Sequence, residues 1–309
     1  MSNFHVTQSE YSEKILRSSL VTISVVSFLI IIKLIAYFYT GSIIILSVAA
    51  DSIFDLIISL TSLFLVRISL KNNTSEYRFG YGKAEALAAF IEGIVILFIS
   101  ITILVLAIQK YQQPDEYMEN TNIAIGVMLI SLISTFFLVR YQTKVMKQTD
   151  SISLESEKSH YMSDLLTNFA ALIGIVLIAN FNFTKVDPII AALISIYLIY
   201  TTFAIFKKSV AVLIDREIDD DLKSEIFEIV QSHNKVLGFH DVRTRQSGSS
   251  KGKFFIQMHI EVSEHVSLNE SHNIADQVED SILEKFPDSV ILLHVDPQNV
   301  IEKKEFIDD

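Results

Sequence analysis

The chain has 309 residues, of which 50% are hydrophobic, and a formal net charge of -11 at pH 7. Residues 1–214 carry 15 acidic and 15 basic side chains, whereas residues 215–309 carry 21 acidic and 10 basic ones, so the second part supplies the whole excess. The absence of cysteine excludes disulfides and thiolate metal sites. An apolar, neutral part followed by an acidic, soluble part is therefore expected.

The first part contains six apolar runs, near 14–38, 43–68, 84–110, 121–146, 158–180 and 187–213. A helix of about 20 residues crosses roughly 30 Å of hydrocarbon. A large soluble helical bundle would need a polar face on each helix, which runs such as "LVTISVVSFLIIIKLIAYF" lack. We predict an all-α transmembrane domain of six helices over residues 1–213.

Lysine and arginine concentrate on one side of these predicted spans. The groups precede the first run, surround the loop after the second, and follow the fourth and the sixth (Lys14, Arg17; Arg67, Lys71, Arg78, Lys83; Arg140, Lys144, Lys147; Lys207, Lys208, Arg216). Because short cytoplasmic loops are enriched in these residues, we expect both termini of this multi-pass membrane protein in the cytoplasm. The first run is too long for a cleaved signal.

Two carboxylates interrupt the second run, in the stretch "SVAADSIFDLIIS". Asp51 and Asp55 are one helical turn apart, and His160 and Asp164 repeat this spacing at the start of the fifth run. Buried membrane charges of this kind cost about 2.5 to 3.5 kcal/mol each on insertion scales, which favours a functional role. The alternative is that the two pairs are unrelated polar residues, one in a hydrogen-bond network and one at the membrane edge.

Three carboxylates and one imidazole form a ligand set that suits a tetrahedral divalent metal such as Zn²⁺. Fe²⁺, Cd²⁺ and Co²⁺ remain open, whereas the imidazole argues mildly against Mg²⁺ and Ca²⁺. Protons compete for the same four ligands, so metal and protons can bind in alternation. Imidazole, with an unperturbed pKa of about 6.5, is the expected pH-sensitive member.

The acidic second part, residues 214–309, alternates short elements. We predict helices over 219–233 and 268–286 and strands over 241–247, 253–262 and 289–295, with a turn at "SGSSKG". Six of the eight histidines lie in this part. Taken singly, each is more often an ordinary polar side chain than a metal ligand.

The chain as a whole resembles the cation diffusion facilitator family, in particular its bacterial zinc and ferrous-iron efflux members. The resemblance is carried by "YTGSIIILSVAADSIFD", "RFGYGKAEALAA", "SHYMSDLLTN", "VDPIIAALISIYLIY", "VLIDREI", "HDVRTRQSGSSKGKFFIQMHIEV" and "HNIADQVEDSILEKFP". It implies a homodimeric, proton-coupled metal exporter with a cytoplasmic, metallochaperone-like αββαβ domain. Its expected partners are membrane lipid, divalent metal ions and a second copy of the chain, with no nucleic acid.

The resemblance also implies roles for individual residues. The transport site is Asp51, Asp55, His160 and Asp164, and the cytoplasmic, structural or regulatory metal site is His240, His259, His272, His294 and Asp296. His233 and His265 match no family ligand. Lys83 and Asp215 match a dimer interlock, although a solvated lysine and a span-closing aspartate are the plainer interpretation.

One departure from the family pattern lies in the loop after the second run. Relatives with a third metal site use one Asp and two His there, where this chain has Thr74, Tyr77 and Tyr81. Neither Thr nor neutral Tyr is a good ligand for a divalent metal, and Glu76 is too isolated to replace them. We therefore predict that the third site is absent.

Two rival functions belong to other classes. An intramembrane metal enzyme, for example a lipid phosphotransferase, can also use a D-x-x-x-D pair, but the Asp-Gly and Ala-Arg pattern expected upstream of it is missing. A membrane receptor that senses metal would leave the buried carboxylates without a role. The sequence therefore favours a transporter over an enzyme.

Overall fold

The computed structural model describes residues 8–40, 43–112, 121–181, 186–246 and 254–298; the side chains of some helical residues, Asp51 and those of 170–181 among them, lie outside this description. The chain forms two compact units that divide after Leu213. The first holds six long helices, and the second holds two helices and a sheet of three strands within the described residues.

The six helices of the first unit follow one another in chain order. They are α1 (Gln8–Thr40), α2 (Ile43–Ser69), α3 (Lys83–Gln112), α4 (Thr121–Thr149), α5 (Ile152–Phe181) and α6 (Val186–Leu213). With 27 to 33 residues each, they are about 40 to 50 Å long. Each is therefore long enough to cross a bilayer with some length to spare.

Five of these helices combine the length and apolarity of a membrane span, namely α1, α2, α3, α4 and α6. Many of their large apolar side chains are exposed, as Phe38, Phe98 and Tyr200 are, which is the reverse of a soluble bundle. The apolar half of α5 falls among the side chains outside the description. The helical membrane fold predicted from the apolar runs is confirmed.

Local sequence explains how several of these helices begin. Gly80 has a φ of +82°, which lets the chain turn sharply before α3, and a Cβ there would meet the Asn73 side chain at 2.6 Å. Pro188 lies in the first turn of α6, where its missing N–H costs no hydrogen bond. Only Asp150 and Ser151 separate α4 from α5, and the Ser151 hydroxyl caps α5 by accepting from the Leu154 N–H.

The second unit packs two helices on one face of its sheet. Its elements are α7 (Asp220–Gln231), β1 (Gly238–Gln246), β2 (Phe254–Val262), α8 (Leu268–Lys285) and β3 (Val290–Pro297). β2 is central, antiparallel to β1 and parallel to β3. The predicted order αββαβ is correct, although β1 begins three residues earlier than predicted. The turn "SGSSKG" lies outside the described residues.

Alternation along β2 separates the two faces of this sheet. Phe254, Ile256, Met258 and Ile260 are buried against Ile226 and Val230 of α7 and Ile274, Val278 and Ile282 of α8. The intervening residues, which include His259 and Glu261, must point to the other face because successive strand side chains alternate. The helices thus cover one face of the sheet, and they do not cover the face that carries His259.

Candidate metal centres

The first group of possible ligands lies inside the helical unit, between α2 and α5. His160 Nε2 is 3.1 Å from Asp55 Oδ1 and 3.9 Å from Asp164 Oδ2, and one ligand atom of each residue lies within 4.8 Å of the others. His160 is buried, while the two carboxylates are partly exposed. The sequence pairing of Asp55 with His160 and Asp164 thus corresponds to a real proximity. The side chain of Asp51 lies outside the described part.

A contact between two hydroxyls links the two helices that carry these candidate ligands. The Tyr161 hydroxyl lies 2.7 Å from Ser59 Oγ, and both side chains are buried. Ser59 follows Asp55 by one turn of α2, and Tyr161 packs edge-on against the His160 ring. The contact therefore joins the two ligand-bearing helices one turn from the ligands. Sequence reasoning missed it, because the two residues are 102 positions apart and neither is charged.

The second group lies on the open face of the sheet. His240, His259 and His294 are in register on β1, β2 and β3, so three imidazoles form a row across the strands. Their ring centroids are 5.2 Å apart for His240 and His259, and 4.6 Å for His259 and His294. Asp296 follows His294 by two residues and points to the same face.

Asp296 is the shared anion of this row. Its Oδ2 is 2.7 Å from His259 Nδ1 and 3.5 Å from His240 Nε2, and its Oδ1 is 3.1 Å from His294 Nε2. Burial by itself would raise the pKa of Asp296, but the hydrogen bond from His259 and the three imidazoles outweigh burial and lower that pKa. Asp296 is thus held as a carboxylate, the form that binds a metal.

Two further acidic side chains border the same group and were not predicted. Glu261 Oε1 is 2.9 Å from His240 Nδ1, and Asp241 Oδ2 is 3.7 Å from His259 Nε2. Asp241 reaches the group because the register shifts between His240 and Arg243, where Asp241 has a φ of +47°. The alternation signal could have found Glu261, which is two residues from His259. A bulge has no comparable sequence signature.

The structure does not bring His272 to this group. It is exposed on α8, 3.5 Å from Asp276, and α8 covers the opposite face of the sheet. Of the two histidines given no role, His233 lies 3.1 Å from the Ser281 hydroxyl, and His265 is exposed beside Glu264. The assignment of His272 to the cytoplasmic site stays a prediction.

The loop between α2 and α3 brings together the three residues that replace the family's third site. Thr74 Oγ1 is 3.1 Å from the Tyr81 hydroxyl and accepts from the Tyr77 N–H at 3.2 Å, and the two tyrosine rings lie 4.7 Å apart. Thr74, Tyr77 and Tyr81 therefore contact one another. Among the described residues, this loop holds no group of three His, Asp or Glu side chains close enough to share an ion.

The predicted interlock residues have identified contacts in their own units. Lys83 donates to the Leu213 carbonyl at 3.1 Å, at the end of α6. Asp215, which has a φ of +61°, accepts from Arg245 at 3.0 Å. The Arg245 guanidinium also lies over the Phe255 ring, 4.5 Å from its centroid. A role for Lys83 and Asp215 in a dimer stays a prediction.

Family models match both units of the chain. The cation efflux transmembrane domain matches residues 19–214, and the cytoplasmic domain of cation efflux proteins matches residues 218–298. The chain belongs to the cation efflux family. The resemblance seen in the sequence is therefore confirmed, and so is the expectation of a membrane transporter rather than an enzyme, since cation efflux is movement across a membrane.

Individual relatives of this cation efflux protein match nearly its whole length. The cation-efflux pumps FieF of Yersinia pestis (strain Pestoides F) and Yersinia pseudotuberculosis (serotype I, strain IP32953) are each 37% identical over 295 residues, 96% of this chain and 97% of theirs. Among solved structures, the metal-bound C-terminal domain of the CzcD transporter from Thermotoga maritima is 28% identical. It covers 26% of this chain and 93% of its own, with a TM-score of 0.24.

Proposed function

We propose that this cation efflux protein is a proton-coupled antiporter that exports a divalent transition metal from the cytoplasm. Zn²⁺ is the preferred substrate, with Fe²⁺ and Cd²⁺ as further substrates. The protein lies in the inner membrane with both termini in the cytoplasm, as the distribution of lysine and arginine indicates. Asp51, Asp55, His160 and Asp164 form the transport site.

The observation that carries the proposal is the convergence of Asp55, His160 and Asp164 between two membrane helices. Nitrogen and oxygen ligands of this kind suit Zn²⁺ and its neighbours among the transition metals. Two carboxylates beside one buried imidazole also need a positive charge to offset their repulsion. A dication meets this need when the site is loaded, and protons meet it when the site is empty.

Competition between these cations gives a minimal exchange cycle. With the site open to the cytoplasm, the deprotonated ligands bind the metal ion. After the helices rock to open the site outward, protons displace the ion because a protonated imidazole or carboxyl group is a poor ligand. The protonated site then returns to the state that is open to the cytoplasm, where the protons are released. Each ligand therefore serves both ions, and the pH gradient supplies the driving force.

In the second unit, His240, His259, His294 and Asp296 are proposed to bind a metal ion with a structural or regulatory role, and His272 is proposed as an additional ligand. The protein acts as a homodimer, in keeping with its match to the family's cytoplasmic dimer domain. A metal that binds one dimer arrangement better than another shifts the equilibrium by that difference in affinity. Lys83 and Asp215 are proposed to interlock the subunits near the membrane surface.

A competition flux assay tests the substrate and the coupling together. Purified protein in vesicles is given Zn²⁺ with an excess of Fe²⁺, Cd²⁺ or Mn²⁺, with and without a pH gradient. We expect Fe²⁺ and Cd²⁺ to reduce Zn²⁺ flux more than Mn²⁺ does, and the gradient to accelerate flux. Flux that ignores the gradient would refute proton coupling, and measured turnover of a lipid substrate would revive the enzyme alternative.

A further inference from the structure

Glu261 reaches from its own strand to the imidazole of His240 on the neighbouring strand. Its Oε1 lies 2.9 Å from His240 Nδ1, a normal hydrogen-bond distance. The two residues are not directly opposite each other, since Glu261 is opposite Gly238 and His240 is opposite His259. They form a diagonal pair, and diagonal neighbours in an antiparallel sheet are about 7 to 8 Å apart. Only a long side chain that leans across the sheet closes this gap.

The residue opposite Glu261 leaves room for this side chain. A Cβ placed on Gly238 would lie 2.9 Å from Glu261 Oε2 and 3.2 Å from its Cδ, closer than van der Waals contact allows. The backbone does not itself require glycine here, because the φ of Gly238 is outside the left-handed region. The Leu237 N–H donates to the Glu261 carbonyl at 2.8 Å, so the strand pairing beside the carboxylate is fixed. The glycine therefore provides space for the carboxylate.

The hydrogen bond to Glu261 decides which ring nitrogen of His240 can bind a metal. A carboxylate only accepts, so in the neutral ring Nδ1 carries the proton and Nε2 keeps a free electron pair. Nε2 lies 3.5 Å from Asp296 Oδ2, and ligand atoms of His240, His259 and Asp296 lie within 4.8 Å of one another. Metal-binding histidines commonly donate their other ring N–H to a carboxylate, which fixes the tautomer and the orientation of the ring.

We propose that Glu261 is a positioning residue of the metal centre in the second unit. Its carboxylate accepts from Nδ1 of His240 and thereby directs Nε2 toward the ion, while Gly238 provides the space in which the carboxylate lies. In this role Glu261 acts through His240 and does not touch the ion. The role presupposes a metal ion at this centre, so it rests on the function proposed above.

Zn²⁺ titration of the full-length protein in detergent tests this role. All variants are made in a background in which Asp55→Ala and His160→Ala disable the proposed transport site. Glu261→Ala should weaken Zn²⁺ binding by about 10- to 100-fold, as loss of a group that orients a metal-binding histidine does. Glu261→Gln keeps an acceptor oxygen but loses the charge, so it should restore part of the affinity. Glu264→Ala, at an exposed position just beyond β2, is the matched control and should leave the affinity unchanged.

Gly238→Ala tests the same carboxylate without replacing it. The added methyl group displaces the flexible end of the Glu261 side chain, so the affinity for Zn²⁺ should fall as it does in Glu261→Ala. The double variant should bind no more weakly than either single variant, because both replacements act through one hydrogen bond. A methyl group that merely disturbed the strand would add its own loss to that of Glu261→Ala. Additive losses would therefore overturn the proposal.

X-ray absorption distinguishes positioning from direct ligation. At saturating Zn²⁺, the background protein and its Glu261→Ala variant should show the same number of nitrogen and oxygen ligands. Loss of an oxygen ligand in Glu261→Ala, or an unchanged affinity in that variant, would overturn the positioning role. His259→Ala in the same background reports on the centre itself. If it retains Zn²⁺ as tightly as the background protein does, the sheet holds no metal centre and Glu261 has no ligand to position.

Discussion

The important side chains in this transporter contact partners that are distant in the sequence. An i, i+4 spacing on two helices predicted that Asp55 would meet His160 and Asp164, and the structure places those ligand atoms together. The spacing says nothing about Tyr161 and Ser59, whose contact depends on how α2 and α5 cross. Asp241 was equally invisible, because its position results from a bulge in β1.

At this scale, the Tyr161 hydroxyl should contribute to the pairing of α2 and α5. Tyr161→Phe leaves the buried Ser59 hydroxyl without its partner, which costs about 1 to 3 kcal/mol of unfolding free energy. Thermal unfolding of the detergent-solubilised protein measures the loss. Ser59→Ala combined with Tyr161→Phe should cost less than the sum of the single replacements. Tyr200→Phe, at an exposed position on α6, is the matched control, and an equal effect there would contradict the assignment.

Among the elements, α5 carries the most chemistry and depends on an anchor at its beginning. The buried Glu85 at the start of α3 accepts from Tyr11 of α1 at 2.7 Å, and from Ser151 and Ser153 at the start of α5. Ser151 also caps α5. One carboxylate therefore joins the beginnings of α1, α3 and α5 at one end of the helical unit. The sequence located these helices, but it gave no sign of this junction.

Replacing this carboxylate should loosen α5 and with it His160. Glu85→Ala removes the acceptor of three hydroxyl groups, and we expect a loss of about 2 to 3 kcal/mol of unfolding free energy together with slower metal flux. Denaturation in detergent and flux in vesicles are the measurements. Glu13→Ala replaces an exposed glutamate on α1 and should change neither. Normal stability of Glu85→Ala would show that the junction does not hold the three helices.

Over the whole molecule, composition predicted the division into an apolar membrane part and an acidic part, because bilayer and water demand opposite surfaces. Alternation on β2 likewise separated a helix-covered face from a face with His259. What could not be predicted is which polar side chains of different helices meet, as Tyr161 and Ser59 do, and as Glu85 and Tyr11 do.

The effects of the two proposed metal centres on metal binding and on flux should be separable. His259→Ala removes the central imidazole of the row and the hydrogen bond to Asp296, so metal binding by the second unit should fall by at least about tenfold. Part of the flux should survive, because the proposed transport ligands are untouched. Metal titration and vesicle flux on the same preparation check both parts. Complete loss of flux in an intact dimer would instead place this centre on the transport route.

The most direct test of the account is Zn²⁺ flux through vesicles containing the wild-type chain, Asp55→Ala, His160→Ala or the control Glu155→Gln. If Asp55 and His160 hold the ion during its passage, Asp55→Ala and His160→Ala should each lose flux to the level of empty vesicles while remaining folded. Glu155→Gln should retain it. Undiminished flux in Asp55→Ala or His160→Ala would contradict a shared metal site between α2 and α5.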